Sequence, residues 1–360
     1  MVSRVMGVAS LALLAWALYW TMRLERADWL FLKGDTASIR QAMRLAPKSA
    51  EYASALAQAE PDRAVEILRE AAAENPLDGG LRLELGLAEE RRGDFASAER
   101  SLHDAIRLDR GLGTRAALSD FYFHRHDAEK FWPAVREALA VSYGDDWEQF
   151  RQCWSLSDEA QTILERAIPD RPQVLRFYLD FLLSEGRPDA ATPVAKRVLA
   201  RADRESALSL LNYCDRMLEK WRGDEARFVW DGLVERKLIA ESGRGFDWRI
   251  SEVPGIRVAP SAGGWTIHFS GNEPESAEIL SRYVALSPHR RYVLHPVLPA
   301  ESGLKCELFL SDGRDLPSES GALQAPDGVT LGRLVLAYRR LPGTTRLEGT
   351  VHVSEIGLSQ

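Results

Sequence analysis

The stretch "GFDWRISEVPGIRV", Gly245 to Val258, divides this 360-residue chain into two kinds of pattern. Upstream of it, apolar residues recur at helical spacing. Downstream, "GWTIHFSG" sets Trp265, Ile267 and Phe269 against Thr266, His268 and Ser270, the period-two alternation of a strand with one buried face. "RRYVLHPVLP", "KCELFLSDG", "GRLVLAYRR" and "TRLEGTVHVSEIGLSQ" continue in the same manner between Gly, Pro, Asp and Ser turns. Five or more strands with no helix long enough for a crossover predict an antiparallel β-sandwich, and the quoted stretch is its first strand and approach. Trp248 within it reads as a plug on the end of that sandwich, with a ligand platform as the competing reading.

Composition is that of a globular protein, 45% hydrophobic and 28% charged, and the net charge of -7 supplies no basic field. Nucleic acid is therefore not an expected partner. Cys153, Cys214 and Cys306 are far apart and odd in number, which fits neither a zinc pattern nor a fully paired disulfide framework. At least one is expected to be free or paired outside the chain. H-E-x-x-H, G-x-S-x-G and phosphate-loop motifs are all absent, so neither catalytic residues, nor a metal site, nor a cofactor is expected. The densest histidine cluster, "FHRHD" at Phe123 to Asp127, would need a non-helical turn to share a ligand, because helical residues two apart point to different faces. It reads as a solvated turn between helices.

At the amino terminus, "VMGVASLALLAWALYWTM" from Val5 to Met22 is uncharged and would span about 27 Å as a helix, close to a bilayer core. Trp16, Tyr19 and Trp20 gather at its far end, where amphipathic rings suit an interface. The run predicts an uncleaved anchor; the competing reading is a signal peptide cut at Ala15-Trp16-Ala17. Arg23, Arg26 and Lys33 after the span favour a cytoplasmic body by charge. The four-residue head favours an outward one, and a body outside the cytoplasmic membrane is the expectation.

Residues 35 to 240 repeat. Ala64, Leu68 and Ala71 before Pro76 are echoed about 34 positions later by Ala98, Leu102 and Ala105. Phe131, Val135 and Ala138 follow, then Ala191, Ala195 and Val198, then Ala226, Trp230 and Leu233. The pattern resembles the tetratricopeptide repeat, best in "LRLELGLAEERRGDFASAERSLHDAIRLD", where Leu85, Gly86, Gly93, Ala98, Leu102 and Ala105 stand at family positions. Glu89 departs from the family's usual aromatic and Arg110 from its closing proline. The resemblance implies a solenoid of about five or six helix pairs whose first helices line a concave, protein-binding groove. By register its lining candidates are Leu83, Leu87, Glu90 and Arg91 in one unit and Asp120, Phe123 and His124 in the next. Leu87 and Phe123 equally fit packing between neighbouring helices.

The strand region, over about residues 253 to 358, resembles jelly-roll, galactose-binding-like carbohydrate-binding modules. Alternation puts His268, Glu307 and Phe309 on outer faces, with Tyr283, His295 and Arg339 in comparable phases. Glycan binding needs a flat aromatic surface and polar groups for hydroxyls, which makes Tyr283, His295, Glu307, Phe309 and Arg339 the candidates. The whole chain resembles bacterial membrane-anchored tetratricopeptide proteins with a C-terminal β-sandwich, associated with envelope polysaccharide clusters. The expected organisation is an anchor at 1–22, a helical solenoid at 23–240 and a β-sandwich at 241–360, a multi-domain α plus β chain held in a bacterial inner membrane by a single pass with a periplasmic body. The expected function is a non-enzymatic scaffold, its groove holding a protein partner and its sandwich contacting an envelope glycan. One alternative is a purely protein-binding assembly factor in which the sandwich is a structural cap; another is a glycan-active enzyme.

Overall fold

The turns between helices repeat one device, a residue with positive φ followed by a helix-capping side chain. In the computed structural model, which describes residues 2–144, 146–239, 243–295, 298, 302–311, 315–317, 322–354 and 356–359, Gly93 takes φ 84° and Asp94 then accepts from Ser97 N. Gly34 with Asp35 does the same, and so does His126 with Asp127. A left-handed turn stops one helix while the carboxylate satisfies an orphan N–H of the next. His126 thus serves the turn, and His124 belongs to the helix before it.

The chain forms two compact units, Met1–Val174 and Leu175–Gln360. The first runs α1 (Val2–Phe31), α2 (Thr36–Leu45), α3 (Ala50–Ala59), a short 3-10 turn at Pro61–Arg63, α4 (Ala64–Glu74), α5 (Gly79–Arg91), α6 (Phe95–Leu108), α7 (Leu112–His124), α8 (Ala128–Val141), α9 (Trp147–Leu156) and α10 (Ala160–Arg166). From α1 to α8 consecutive helices pack against one another as hairpins, and across neighbouring hairpins α5 also touches both α3 and α7. This is tetratricopeptide-type stacking. Small residues make it possible: Ala98 and Ala105 are fully buried, and a Cβ on Gly86 would stand 2.8 Å from Leu102 Cγ. Where the repeat usually has an aromatic, Glu89 is buried instead and accepts from Ser101 Oγ at 2.7 Å and Arg69 Nη2 at 2.8 Å.

The expected anchor at 1–22 is corrected. Among the described residues no helix is long and apolar enough to cross a membrane. α1 continues unbroken from the apolar run through Arg23, Glu25, Arg26 and Asp28, and docks Ala27 and Leu30 into a cluster with Ala42 and Tyr52. The run is the leading part of a longer helix with a charged and docked far end. The side chains of residues 2–10 and 12 lie outside the described ones. The membrane part of the expected fold class and the single-pass inner-membrane location fall with the anchor. The chain has a mostly helical, tetratricopeptide-like N-terminal region and a smaller C-terminal sheet region.

The second unit opens within α11 (Pro172–Ser184) and continues through α12 (Pro188–Ala200), α13 (Arg204–Glu219) and α14 (Gly223–Glu235). Close approach recurs here, a Cβ on Gly232 of α14 standing 2.7 Å from Leu199 Cδ2 of α12. Then come β1 (Arg249–Ile250), β2 (Ile256–Ser261), β3 (Gly264–Ser270), β4 (Ser276–Ala285), β5 (Arg291–His295), β6 (Leu304–Leu310), β7 (Asp315–Pro317), β8 (Ala322–Gln324), β9 (Leu331–Arg339), β10 (Glu348–Ser354) and β11 (Gly357–Ser359). They pair antiparallel in three sheets ordered β1-β4-β9-β6-β7, β10-β3-β2 and β11-β5-β8. One core joins them, with Ile267, Phe269, Leu280, Cys306, Leu308, Leu334 and Leu336 buried. Trp265 sits partly buried at the margin of this core, edge-on to Trp248 at 6.1 Å.

The other face of the five-stranded sheet meets the helices of its own unit. Trp221, between α13 and α14, stacks edge-on to Tyr283 of β4 at 6.0 Å, and a Cβ on Gly223 would stand 3.0 Å from Leu331 of β9. The stretch around Gly245 fastens this junction. Asp215 of α13 accepts from Gly245 N at 2.8 Å, Arg244 Nε at 2.8 Å and Arg249 Nη2 at 2.7 Å. Gly245 holds φ 57°, and a Cβ there would reach 2.2 Å from the Trp230 ring. Glycine is required at that position by both backbone and contact.

Candidate functional site

The first helices α5, α7 and α9 present successive residues at one register. Glu90 of α5 and His124 of α7, 34 positions apart, meet with His124 Nδ1 3.1 Å from Glu90 Oε1. Gln152 of α9 donates through Nε2 to Asp120 Oδ1 of α7 at 2.8 Å, 32 positions away. The helical repeat brings these side chains together because equivalent positions of stacked hairpins fall side by side. Burial raises the Asp120 carboxyl above its ordinary pKa, with Glu90 and Glu148 adding in the same direction and the Gln152 hydrogen bond and His124 opposing. Gln152 is itself buried, and its Oε1 is without a partner among the described residues.

The remaining candidates fall into place around this row. Leu83 is half-buried and Leu87 exposed on the same helix as Glu90. Phe123 is half-buried and packs against Phe131 of α8 at 5.9 Å. Arg91 instead lines a separate cleft of about 410 Å³ with Pro61, Asp62 and Arg92. The joined set is thus Glu90, His124, Asp120 and Gln152 beside the exposed Leu87. Its surface offers carboxylates and an apolar contact, which suits a segment rich in N–H donors with an apolar side chain.

In the sheet region, Tyr283, Arg333 and Phe309 stand in one cross-strand row. Tyr283 is covered, with Trp221 at its edge and Arg249 Cζ 5.3 Å from its ring centroid, and burial raises its phenol. Glu307 and Phe309 are half-buried. Arg339 is exposed at the end of β9, opposite Ser276 across the ladder. The side chain of His295 lies outside the described residues. Cys153, Cys214 and Cys306 are buried free thiols, and desolvation pushes Cys306 up to about 12. Among the described residues no group of three or more His, Cys, Asp or Glu side chains is placed to hold a metal ion.

No protein-family model matches the chain, and no curated protein matches it. Solved tetratricopeptide structures do. YrrB, described as a TPR protein with an unusual peptide-binding site, is 13% identical over 57% of this chain and 95% of its own, with a TM-score of 0.28. PilF of Pseudomonas aeruginosa is 16% identical over 62% of this chain and 93% of its own, with a TM-score of 0.30. The structure of Naa15/Naa10 bound to HypK-THB matches at 14% identity over 61% of this chain and 36% of that one, with a TM-score of 0.30. Overlap this loose transfers nothing from those proteins to this chain.

Gln152 and Asp215 are not among the candidates that the sequence pattern offers. Gln152 follows Asp120 by 32 positions, close to the repeat period, and that spacing was a usable signal. Asp215 had none, because its partners Arg244, Gly245 and Arg249 lie past the end of the last helix.

Proposed function

We propose that this chain is a non-enzymatic, protein-binding scaffold whose wall of first helices holds a segment of a partner protein. The observation that carries this reading is the Glu90–His124 contact at repeat spacing, which aligns neighbouring units while Leu87 beside it stays exposed. A continuous surface of carboxylate, imidazole and leucine fits a chain segment better than a small molecule. For the sheet region, the cap is favoured over the glycan surface. Trp221 and Arg249 cover Tyr283, and a solenoid end needs its last apolar face closed. Phe309 and Glu307 are what supports the glycan alternative.

Affinity capture with the parent and a Leu87→Glu variant tests the groove. Leu87 is exposed, so the variant should fold and melt like the parent while the specifically captured proteins are lost. An unchanged set of captured proteins would remove the groove from the account. Titration of envelope polysaccharide against the full chain separates the two sheet readings, since the cap predicts no binding.

A further inference from the structure

Among the described residues, one edge of strand β4 is only half covered. On its inner edge, residue 286 continues the pairing to β9, with Leu286 N donating to Thr330 O at 2.9 Å. On its outer edge, Ser251 N donates to Ile279 O at 2.9 Å, and β1 pairs with Leu280 and Ser281. Backbone groups of successive residues in a ladder face opposite edges. By that alternation Tyr283 and Ala285 turn N–H and C=O outward, past the point where β1 ends. The chain before β1 does not follow them, because it turns away through Gly245 at φ 57° toward Asp215. Among the described residues nothing hydrogen-bonds the backbone of Tyr283 or Ala285 on that side.

Beside this bare edge lies a cleft of about 440 Å³, within the range of about 300 to 1,000 Å³ usual for ligand sites. Trp230 and Phe246, ring centroids 6.1 Å apart, form one wall, and Tyr292 and Leu358 line it too. These walls are held in place. Trp230 rests on Gly245, and Tyr292 OH accepts from Ser287 N at 2.7 Å. Three charged residues line the cleft and all are engaged: Arg227 and Asp231 pair at 3.4 Å, and Arg282 donates to Ile356 O at 3.4 Å with its Cζ 4.7 Å from the Trp248 ring centroid, so no charged group is left over for a ligand of either sign.

We propose that a neutral, extended peptide segment adds here to β4 as a further strand, collinear with β1, and inserts an apolar or aromatic side chain beside Trp230 and Phe246. The outward backbone groups of Tyr283 and Ala285 recur at about 6.8 Å, which is the repeat of alternate residues in an extended backbone. Sheet edges of this kind bind by main-chain hydrogen bonds, with side-chain pockets giving selectivity. This site is in the second unit and goes beyond the groove reading.

Panning the full-length protein against a library of random linear heptapeptides tests it. Peptides with an apolar or aromatic residue should be recovered, and Ala285→Pro, which removes one outward N–H without touching the β9 ladder, should weaken them at least tenfold. Leu87→Glu should leave their binding unchanged. N-methylation of the recovered peptide gives a reading that does not depend on the variant's folding: every second position should abolish binding and the intervening positions should not. Recovery of no peptide, indifference to N-methylation, or peptides lost with Leu87→Glu and kept with Ala285→Pro would overturn the edge site. The last result would leave the groove standing.

Discussion

Gly245 and Asp120 show how single residues are set by their surroundings. At Gly245 any side chain meets both a left-handed backbone and the Trp230 ring. Gly245→Ala should cost about 1 to 3 kcal/mol in strain, with about 1 to 3 kcal/mol more for displacing the indole; urea unfolding of the 175–360 unit reads the sum. Asp120 offers a pH test. Its folded pKa lies above the ordinary 3.8, so the folded state holds the proton more tightly than the unfolded one. Stability from that site is complete below 3.8 and is lost as pH rises through the folded value. Asp120→Asn cannot ionise and still accepts from Gln152, so its advantage over the parent should grow across that window in melts at stepped pH. A constant difference would mean that the site is not desolvated. At this scale the alanines and glycines of the repeat were legible because contact geometry permits nothing larger. Glu89 was visible only as a departure, since its partners Arg69 and Ser101 are on other helices.

The helix pair is the unit that the sequence displays best. Ala98, Leu102 and Ala105 recur because α5 and α6 approach through Gly86, and Ala98→Leu should overpack that contact by about 1 to 3 kcal/mol. A thermal melt like the parent's would mean the register is misassigned. α1 misled the same reasoning. Its uncharged run has the composition of a span, but the element that forms is longer and carries Arg23, Glu25, Arg26 and Asp28 in the same helix. Hydropathy in a window sees composition and not where a helix stops. The strands were legible by alternation at Ile267, Phe269, Cys306, Leu308 and Leu310, all of them buried. "LGRLVLAYRR", Leu331 to Arg340, carried a further signal. Leu331 and Val335 lie in the outer phase of β9 and are buried, and a strand apolar in both phases is covered on both faces.

Across the whole molecule, the change of period at Gly245 marks where helices give way to strands within one structural unit. α13 and α14 share that unit with the sheets, through Asp215, Trp221 and Gly223. Residues 175–360 expressed alone should unfold in a single transition, whereas 243–360 alone would expose Tyr283, Leu331 and Val335 and should aggregate or fail to fold. A soluble, cooperatively folding 243–360 fragment would contradict the cap and return the sheet region to independence. The sequence could not reveal this arrangement, because a boundary in periodicity carries no information about which surfaces meet across it.

The groove is the central claim, and hydrogen exchange on the full-length protein with a captured partner tests it most directly. Amides and contact surfaces of α5, at Gly79–Arg91, and α7, at Leu112–His124, should slow on binding, while α6 and α8 exchange as in the free protein. Protection confined to the second helices of these pairs, or to neither helix of either pair, would contradict the account.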